Sequence, residues 1–255
     1  MSDAFVPEYA SSVPIRAAAR PLPAAAVPLC LGALAGVLVA LSAGQDLMLA
    51  VSPTLQAQKI WLLDLDYEYN FSTWFSSAVL LGAAIQLFEI AEQARLAGDR
   101  FFAHWGVLSL SFAAVSADEF IGLHERLSDV LQARLNTHGA LYPAWVIPVL
   151  IACAAGAFAY RGFLKALPWP VARTMLLAAA FYVGGAAGFE MAAGSFFEND
   201  ATHQLAYRVV TTLEESGEMA GAILFLYALA LYRRGAEGAR PKTRPSGASR
   251  ATDRA

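Results

Sequence analysis

The sequence predicts an all-α, polytopic membrane bundle of six transmembrane helices with both termini in the cytoplasm. Three observations carry this. Of the 255 residues, 57% are hydrophobic and 15% charged, against roughly 25% charged in an average soluble domain. Six stretches reach the ~20 apolar residues that a helix needs to cross a bilayer. Lys and Arg collect on one side of those stretches, as the positive-inside rule requires. Strand-like alternation is absent, which argues against a β-barrel, and the backbone must then satisfy its own hydrogen bonds as helices. The same composition excludes a disordered chain, a nucleic-acid binder and a disulfide scaffold. The two cysteines, Cys30 and Cys153, show no zinc or redox spacing.

The first span is expected over about 24–44, where Pro23 and Arg20 precede an Ala/Leu/Val run. Arg20, this run and the following Ala-Leu-Ser-Ala-Gly also read as a cleavable signal peptide, whose removal would leave five spans. The second is expected over about 72–93 and the third over about 102–124, with the helix running on to about Leu131. The fourth, fifth and sixth follow at about 142–164, 172–196 and 207–232. Residues 1–23 read as a disordered cytoplasmic N-terminus and 24–234 as the transmembrane domain. Residues 235–255 lack large apolar side chains and read as a disordered basic tail. The long 45–71 connection holds an amphipathic segment with Trp61, expected at the outer interface. Tyr67, Tyr69, Trp74 and Phe75 then form an aromatic belt.

Counted by side, 14 of the 18 Lys and Arg fall in the cytoplasmic half and 14 of the 21 Asp and Glu in the outer half. The small net charge of −3 therefore hides a strong polarity across the membrane, and the outer face attracts cations. A multi-pass protein of the cell membrane follows, and the Ala-rich composition points to a bacterial inner membrane. Membrane lipid is the expected surrounding partner, and a homo-oligomer or a partner in a membrane complex is compatible with it.

Ionisable groups inside spans cost roughly 2.5–3.5 kcal/mol each at a helix centre. Three spans nonetheless carry them. The third reads S-A-D-E-F-I-G-L-H-E-R from Ser116, the fifth G-G-A-A-G-F-E-M from Gly184, and the sixth T-L-E-E-S-G-E-M-A-G from Thr212. Span direction puts all three clusters at a similar height in the outer half. Helical phase places Asp118, Gly122 and Glu125 on one stripe, and Glu214 and Glu218 on another beside Gly217 and Gly221. Glu190 lies among Gly184, Gly188 and Gly194. Small residues let membrane helices approach closely, so the third, fifth and sixth spans are expected to touch with the acids between them.

So many carboxylates need protons, Arg partners or a metal. Arg126 reaches toward Glu119 or Glu125, and Arg208 shares a stripe with Glu215. Two Arg do not neutralise seven acids. Carboxylates with one imidazole suit one or two divalent ions of Fe, Mn or Zn. The expected ligands are Asp118, His124, Glu125, Glu190, Glu214 and Glu218, with Glu119 or Glu215 as proton carrier. The Glu-x-x-His pair of soluble di-iron bundles is absent, because residue 121 is Ile. Ser109, Ser111 and Ser116 are expected to bond back to their own helix. Glu89 and Glu92 are expected in cytoplasmic water beside Arg95, and His104 at the cytoplasmic boundary.

The segments D-E-x4-H-E, G-F-E-M and E-E-x2-E-M-x-G resemble a loose group of bacterial multi-pass membrane proteins that carries no established activity. The resemblance covers roughly 110–230 and implies that Asp118, Glu119, His124, Glu125, Glu190, Glu214, Glu215 and Glu218 belong together. It implies no reaction. More distantly, the chain resembles metal-dependent membrane hydrolases of the ceramidase type, whose paired H-x3-H it lacks. The leading expectation is metal-dependent chemistry on a lipid or other amphipathic substrate. A cation- or proton-coupled transporter is the alternative. An accessory subunit with a purely structural acidic network is the third.

Overall fold

A computed structural model describes residues 23–52 and 59–239. Expectations for 1–22, for 53–58 within the amphipathic segment, and for the tail from 240 lie outside the described residues. Among the described residues the chain is all α. The helices are α1 (Ala26–Val51), α2 (Phe71–Leu96), α3 (Phe102–Ile121), α4 (Leu123–Leu135), α5 (Val146–Ala166), α6 (Trp169–Val183), α7 (Glu190–Glu198) and α8 (Leu205–Ala239). A π-helical turn, Gly184–Phe189, joins α6 to α7.

Four of these stretches are long and apolar enough to cross a membrane: α1, α2, α5 and the continuous Trp169–Glu198. The bent pair α3–α4 makes a fifth if it counts as one span. The expected sixth, α8, is 35 residues long. Glu214, Glu215 and Glu218 near one end and Arg233 and Arg234 near the other leave its apolar centre shorter than in the other spans. It also runs five residues past the expected start of the tail at 235.

Local chemistry sets the boundaries. Asn70 caps α2, its Oδ1 accepting the Thr73 amide at 2.9 Å. The α2–α3 turn uses Gly98 at φ 68°, while Asp99 accepts the Phe101 amide at 2.9 Å. Pro168 ends the extended entry to α6, and Pro170 sits in its first turn, where a missing N–H costs nothing. At the other end of α4, Asn136 adopts φ 50°, as helix-ending residues do.

α2 and α3 form the tightest antiparallel pair. Ser116 Oγ donates to the Ser77 carbonyl and Ser77 Oγ to the Ser116 carbonyl, both at 2.8 Å; Ser109 Oγ donates to the Ala84 carbonyl at 2.8 Å. Ser109 and Ser116 thus bond across to α2 and not back along α3, because the small neighbours on α2 bring its carbonyls within reach. α8 packs against α6, α1 and α2, and its Met219, Ala228 and Leu229 are buried together with Leu80, Leu87 and Trp105. Phe75, expected in an aromatic belt, is buried in this core, whereas Tyr67, Tyr69 and Trp74 are exposed. Glu89 pairs with Arg233 and so ties α2 to α8, while Glu92 pairs with Arg95 at 2.7 Å. His104 is caged by Phe101, Tyr160 and Phe163, and Tyr160 donates to its carbonyl at 2.9 Å. That bond fastens α5 to α3.

Two departures from the expected phase shape the site. The third helix does not continue to Leu131. Gly122 takes φ 65°, ψ 43°, and α4 leaves α3 at 80°. The left-handed conformation is easy for glycine and strained for other residues. The stripe Asp118–Gly122–Glu125 therefore does not exist as one helix face. Second, α3 is not packed along α6 and α8. It meets α8 through the ring pairs Phe112–Phe225 and Trp105–Tyr232, at 4.3 and 4.7 Å. Beyond Val115 a cavity separates it from the other two.

Candidate functional site

The cavity has a volume of about 400 Å³ and is walled by α3, α4, α5, α6, the π-turn, α7, α8 and the segment before α2. All eight residues singled out from the sequence line it: Asp118, Glu119, His124, Glu125, Glu190, Glu214, Glu215 and Glu218. Asp66 and Glu68 join them. No Lys or Arg is among the described lining residues.

The Gly122 break builds the first part. The 80° turn of the chain at Gly122 brings His124 against Asp118. Its amide donates to Asp118 Oδ1 at 2.9 Å, and its Nδ1 lies 3.0 Å from Oδ2. Asp118 thus closes the start of α4 as a helix-capping carboxylate does, and both of its oxygens are engaged by one residue. The other ring nitrogen, Nε2, has no protein partner among the described residues. The Trp145 ring stands edge-on to the imidazole at 5.1 Å, and its Nε1 donates to Glu190 Oε2 at 2.8 Å. A single indole therefore positions two of the predicted site residues.

The π-turn builds the second part. Its wider turn shifts the helical phase, and such turns recur at functional sites. It brings Gly185, not the expected Gly184 or Gly188, against α8. A Cβ at Gly185 would fall 2.9 Å from the Glu214 carbonyl and from the Glu218 amide, whereas Gly184 and Gly188 have no atom of another segment within 4 Å. Gly217 meets Gly185 and Gly221 meets Tyr182 at similarly short range. This close approach holds Glu190 and the Glu214–Glu218 face on one wall. Gly194 packs elsewhere, against the Gly139 carbonyl.

Neither arginine does what the sequence suggested. Arg208 pairs with Asp66 at 2.5 Å and lies 3.6 Å from Asp64, instead of facing Glu215. Arg126 forms no ion pair with Glu119 or Glu125. Seven of the nine cavity carboxylates, Glu68, Glu119, Glu125, Glu190, Glu214, Glu215 and Glu218, have no ion-pair partner among the described residues. Among those residues no three of His, Cys, Asp and Glu are grouped so as to hold a metal ion. The carboxylates share a cavity and face one another across it, without converging on one point.

A family described as a domain of unknown function, DUF8692, matches residues 29–232. The chain belongs to that family. No curated protein and no solved structure matches it. The DUF8692 match runs from within α1 to near the end of α8, so the family region contains the whole cavity.

Two site residues of this DUF8692 chain were missed in the sequence, Asp66 and Glu68. They lie in the 45–71 connection, which reads as a surface loop but is pinned by buried charge. Lys59 Nζ is 2.8 Å from Asp46 Oδ1 and 2.5 Å from Asp64 Oδ2. The Leu65 amide donates to Ser42 at 3.0 Å. Four acids at 46, 64, 66 and 68 within the one long connection read from the sequence were the available signal. Glu68 reaches over the bare face of Gly122, where a Cβ would fall 2.9 Å from its Oε1.

Burial pushes the Glu68 carboxyl above its usual range, and Glu125 adds to this, with His124 partly offsetting both. Burial likewise raises Asp66, against a hydrogen bond from Tyr207 and the charge of Arg208. A folded chain that holds its proton to higher pH binds more protons than the unfolded chain above the ordinary value of 4.5. Stability due to Glu68 therefore falls as pH rises from there until the raised value is passed. Glu68→Gln removes this contribution. Its melting temperature is expected to decline less than that of the wild type from acid to neutral pH in a thermal-unfolding series. Superimposable curves would refute the shift.

Proposed function

We propose that the chain is a six-span protein of the cell membrane whose outer-half cavity receives the polar part of an amphipathic, lipid-like substrate and moves a proton there through His124. The observation that carries this reading is the Asp118–His124 pair in the wall of an acid-lined cavity. The crossing of α8 is supported by its length and by its central place among α1, α2 and α6. Cytoplasmic termini are supported by the excess of Lys and Arg on their side.

Asp118 holds the His124 backbone amide with Oδ1 and faces the imidazole Nδ1 with Oδ2, which favours the tautomer with the proton on Nδ1 and leaves Nε2 as the acceptor. A histidine so placed takes a proton from a hydroxyl or bound water and returns it to a leaving atom. Glu119 and Glu215, in the same cavity, carry the proton onward. Trp145 fixes His124 and Glu190 relative to each other.

A divalent ion remains a second reading, favoured by the seven carboxylates without an ion-pair partner. As placed, the side chains form no ligand set, so metal binding requires them to draw together, and no step above runs through a metal.

The test is turnover by the full chain in liposomes on fractionated polar-lipid extracts, followed by mass spectrometry. His124→Gln is expected to lower the rate by about 10²–10⁴-fold, the usual worth of a general acid–base group. Asp118→Asn is expected to lower it less and to change its pH profile. An unchanged rate in His124→Gln, or no turnover of any fraction by the wild type, would overturn the reading.

A further inference from the structure

A second cavity, of about 210 Å³, abuts the first. It lies between α3, α6 and α8 and is walled by Leu108, Phe112, Ala178, Ala179, Ala222 and Phe225, among others. Val115, Tyr182 and Val183 line both cavities. The polar chamber and the apolar chamber are therefore two sides of one partition.

We infer that the joined cavities bind a single-chain amphiphile with a primary ammonium head, the head among the carboxylates and the chain between α3, α6 and α8. This rests on the amphipathic-substrate reading and narrows it to one head chemistry. Among the described residues, nine carboxylates line the polar chamber with one imidazole and no Lys or Arg. Glu215 and Glu218 are enclosed by the bundle apart from this chamber and have no hydrogen bond or ion pair among the described residues. Ionised carboxylates only accept hydrogen bonds, and an ammonium offers three donors and no acceptor. A phosphate or sulfate head would instead face the carboxylates of α3, α4, α7, α8 and the segment before α2. The apolar chamber is an independent feature that calls for hydrocarbon, and its small volume suits one chain.

The experiment is binding to the full chain in nanodiscs of zwitterionic lipid, with dodecylamine, dodecanol and dodecyl phosphate as probes. Dodecylamine is expected to bind saturably and about tenfold or more tighter than the other two, a difference of about 1.4 kcal/mol or more. Glu214→Gln with Glu218→Gln is expected to erase that preference. Ala179 is exposed on α6, so Ala179→Phe fills the apolar chamber without entering the core. It is expected to weaken dodecylamine while leaving short-chain propylamine unchanged. Equal or tighter binding of dodecanol or dodecyl phosphate, still weakened by Ala179→Phe, would overturn the ammonium head and leave the amphipathic-substrate reading standing. Dodecylamine binding that survives both sets of substitutions would place it elsewhere and overturn the inference. No saturable binding of any probe would overturn both.

Discussion

Lys59→Met is expected to destabilise the protein by about 3–5 kcal/mol, the usual cost of removing one partner from a buried ion pair. Lys59 stands between Asp46, at 2.8 Å, and Asp64, at 2.5 Å. The Asp64 side chain is 0% exposed and that of Asp46 9%. Arg208 cannot take over, because it lies 3.6 Å from Asp64 and is already engaged with Asp66 at 2.5 Å. The substitution leaves Asp46 without an ion-pair partner among the described residues and the buried Asp64 with only the more distant Arg208. The consequence reaches the cavity, since Asp64 begins the short segment that carries Asp66 and Glu68 to its wall. Replacing Asp46 and Asp64 with leucine in the same variant removes the stranded charges and is expected to restore most of the loss. Thermal or denaturant unfolding in mild detergent reads both effects. A Lys59→Met protein as stable as the wild type would show that the loop is not held by this network.

Gly221→Val is expected to cost about 3 kcal/mol or more, above the usual 1–3 kcal/mol of an overpacked core. A Cβ at Gly221 would fall 2.6 Å from the Tyr182 amide nitrogen, 2.7 Å from the Tyr182 Cβ and 2.8 Å from the Ala178 carbonyl oxygen. Two of these are backbone atoms, so α6 itself must move away from α8. Tyr182 lines both cavities, and the displacement widens the partition between them. Gly184→Ala provides the contrast. It stands one residue before the α8 contact with no atom of another segment within 4 Å, and it is expected to change stability by no more than about 1 kcal/mol, the backbone effect alone. Unfolding measured side by side distinguishes the two, and equal small losses would contradict the close α6–α8 approach.

The gathering of the acids was legible because it depends on depth alone. Asp118, Glu190 and Glu214 each sit a similar distance from a span end, and that distance survives errors of helical phase. The facing of the helices was not legible, because phase counting assumes an unbroken helix of 3.6 residues per turn. Gly122 breaks that assumption through a left-handed backbone, which turned an expected Asp118–Glu125 stripe into an Asp118–His124 pair. The π-turn breaks it again and exchanged Gly184 for Gly185 at the contact. Partner choice for the arginines was lost for a different reason. Arg208 answers to Asp66, more than 140 residues away in sequence, and nothing local in the chain records that pairing. The same holds for Lys59, whose role is set by how α1 and the 59–70 segment fold together.

Acids from α4, α7 and α8 are proposed to open into one chamber on one side of the membrane. Single cysteines at Glu125, Glu190 and Glu214, placed in a Cys30→Ser, Cys153→Ser background, test this. A membrane-impermeant maleimide is applied to sealed vesicles of known orientation. All three are expected to label from the non-cytoplasmic side. In the paired variants, a bulky adduct at one site is expected to slow labelling at the next sharply. Labelling from the cytoplasmic side, or three sites that react independently of one another, would contradict the shared chamber.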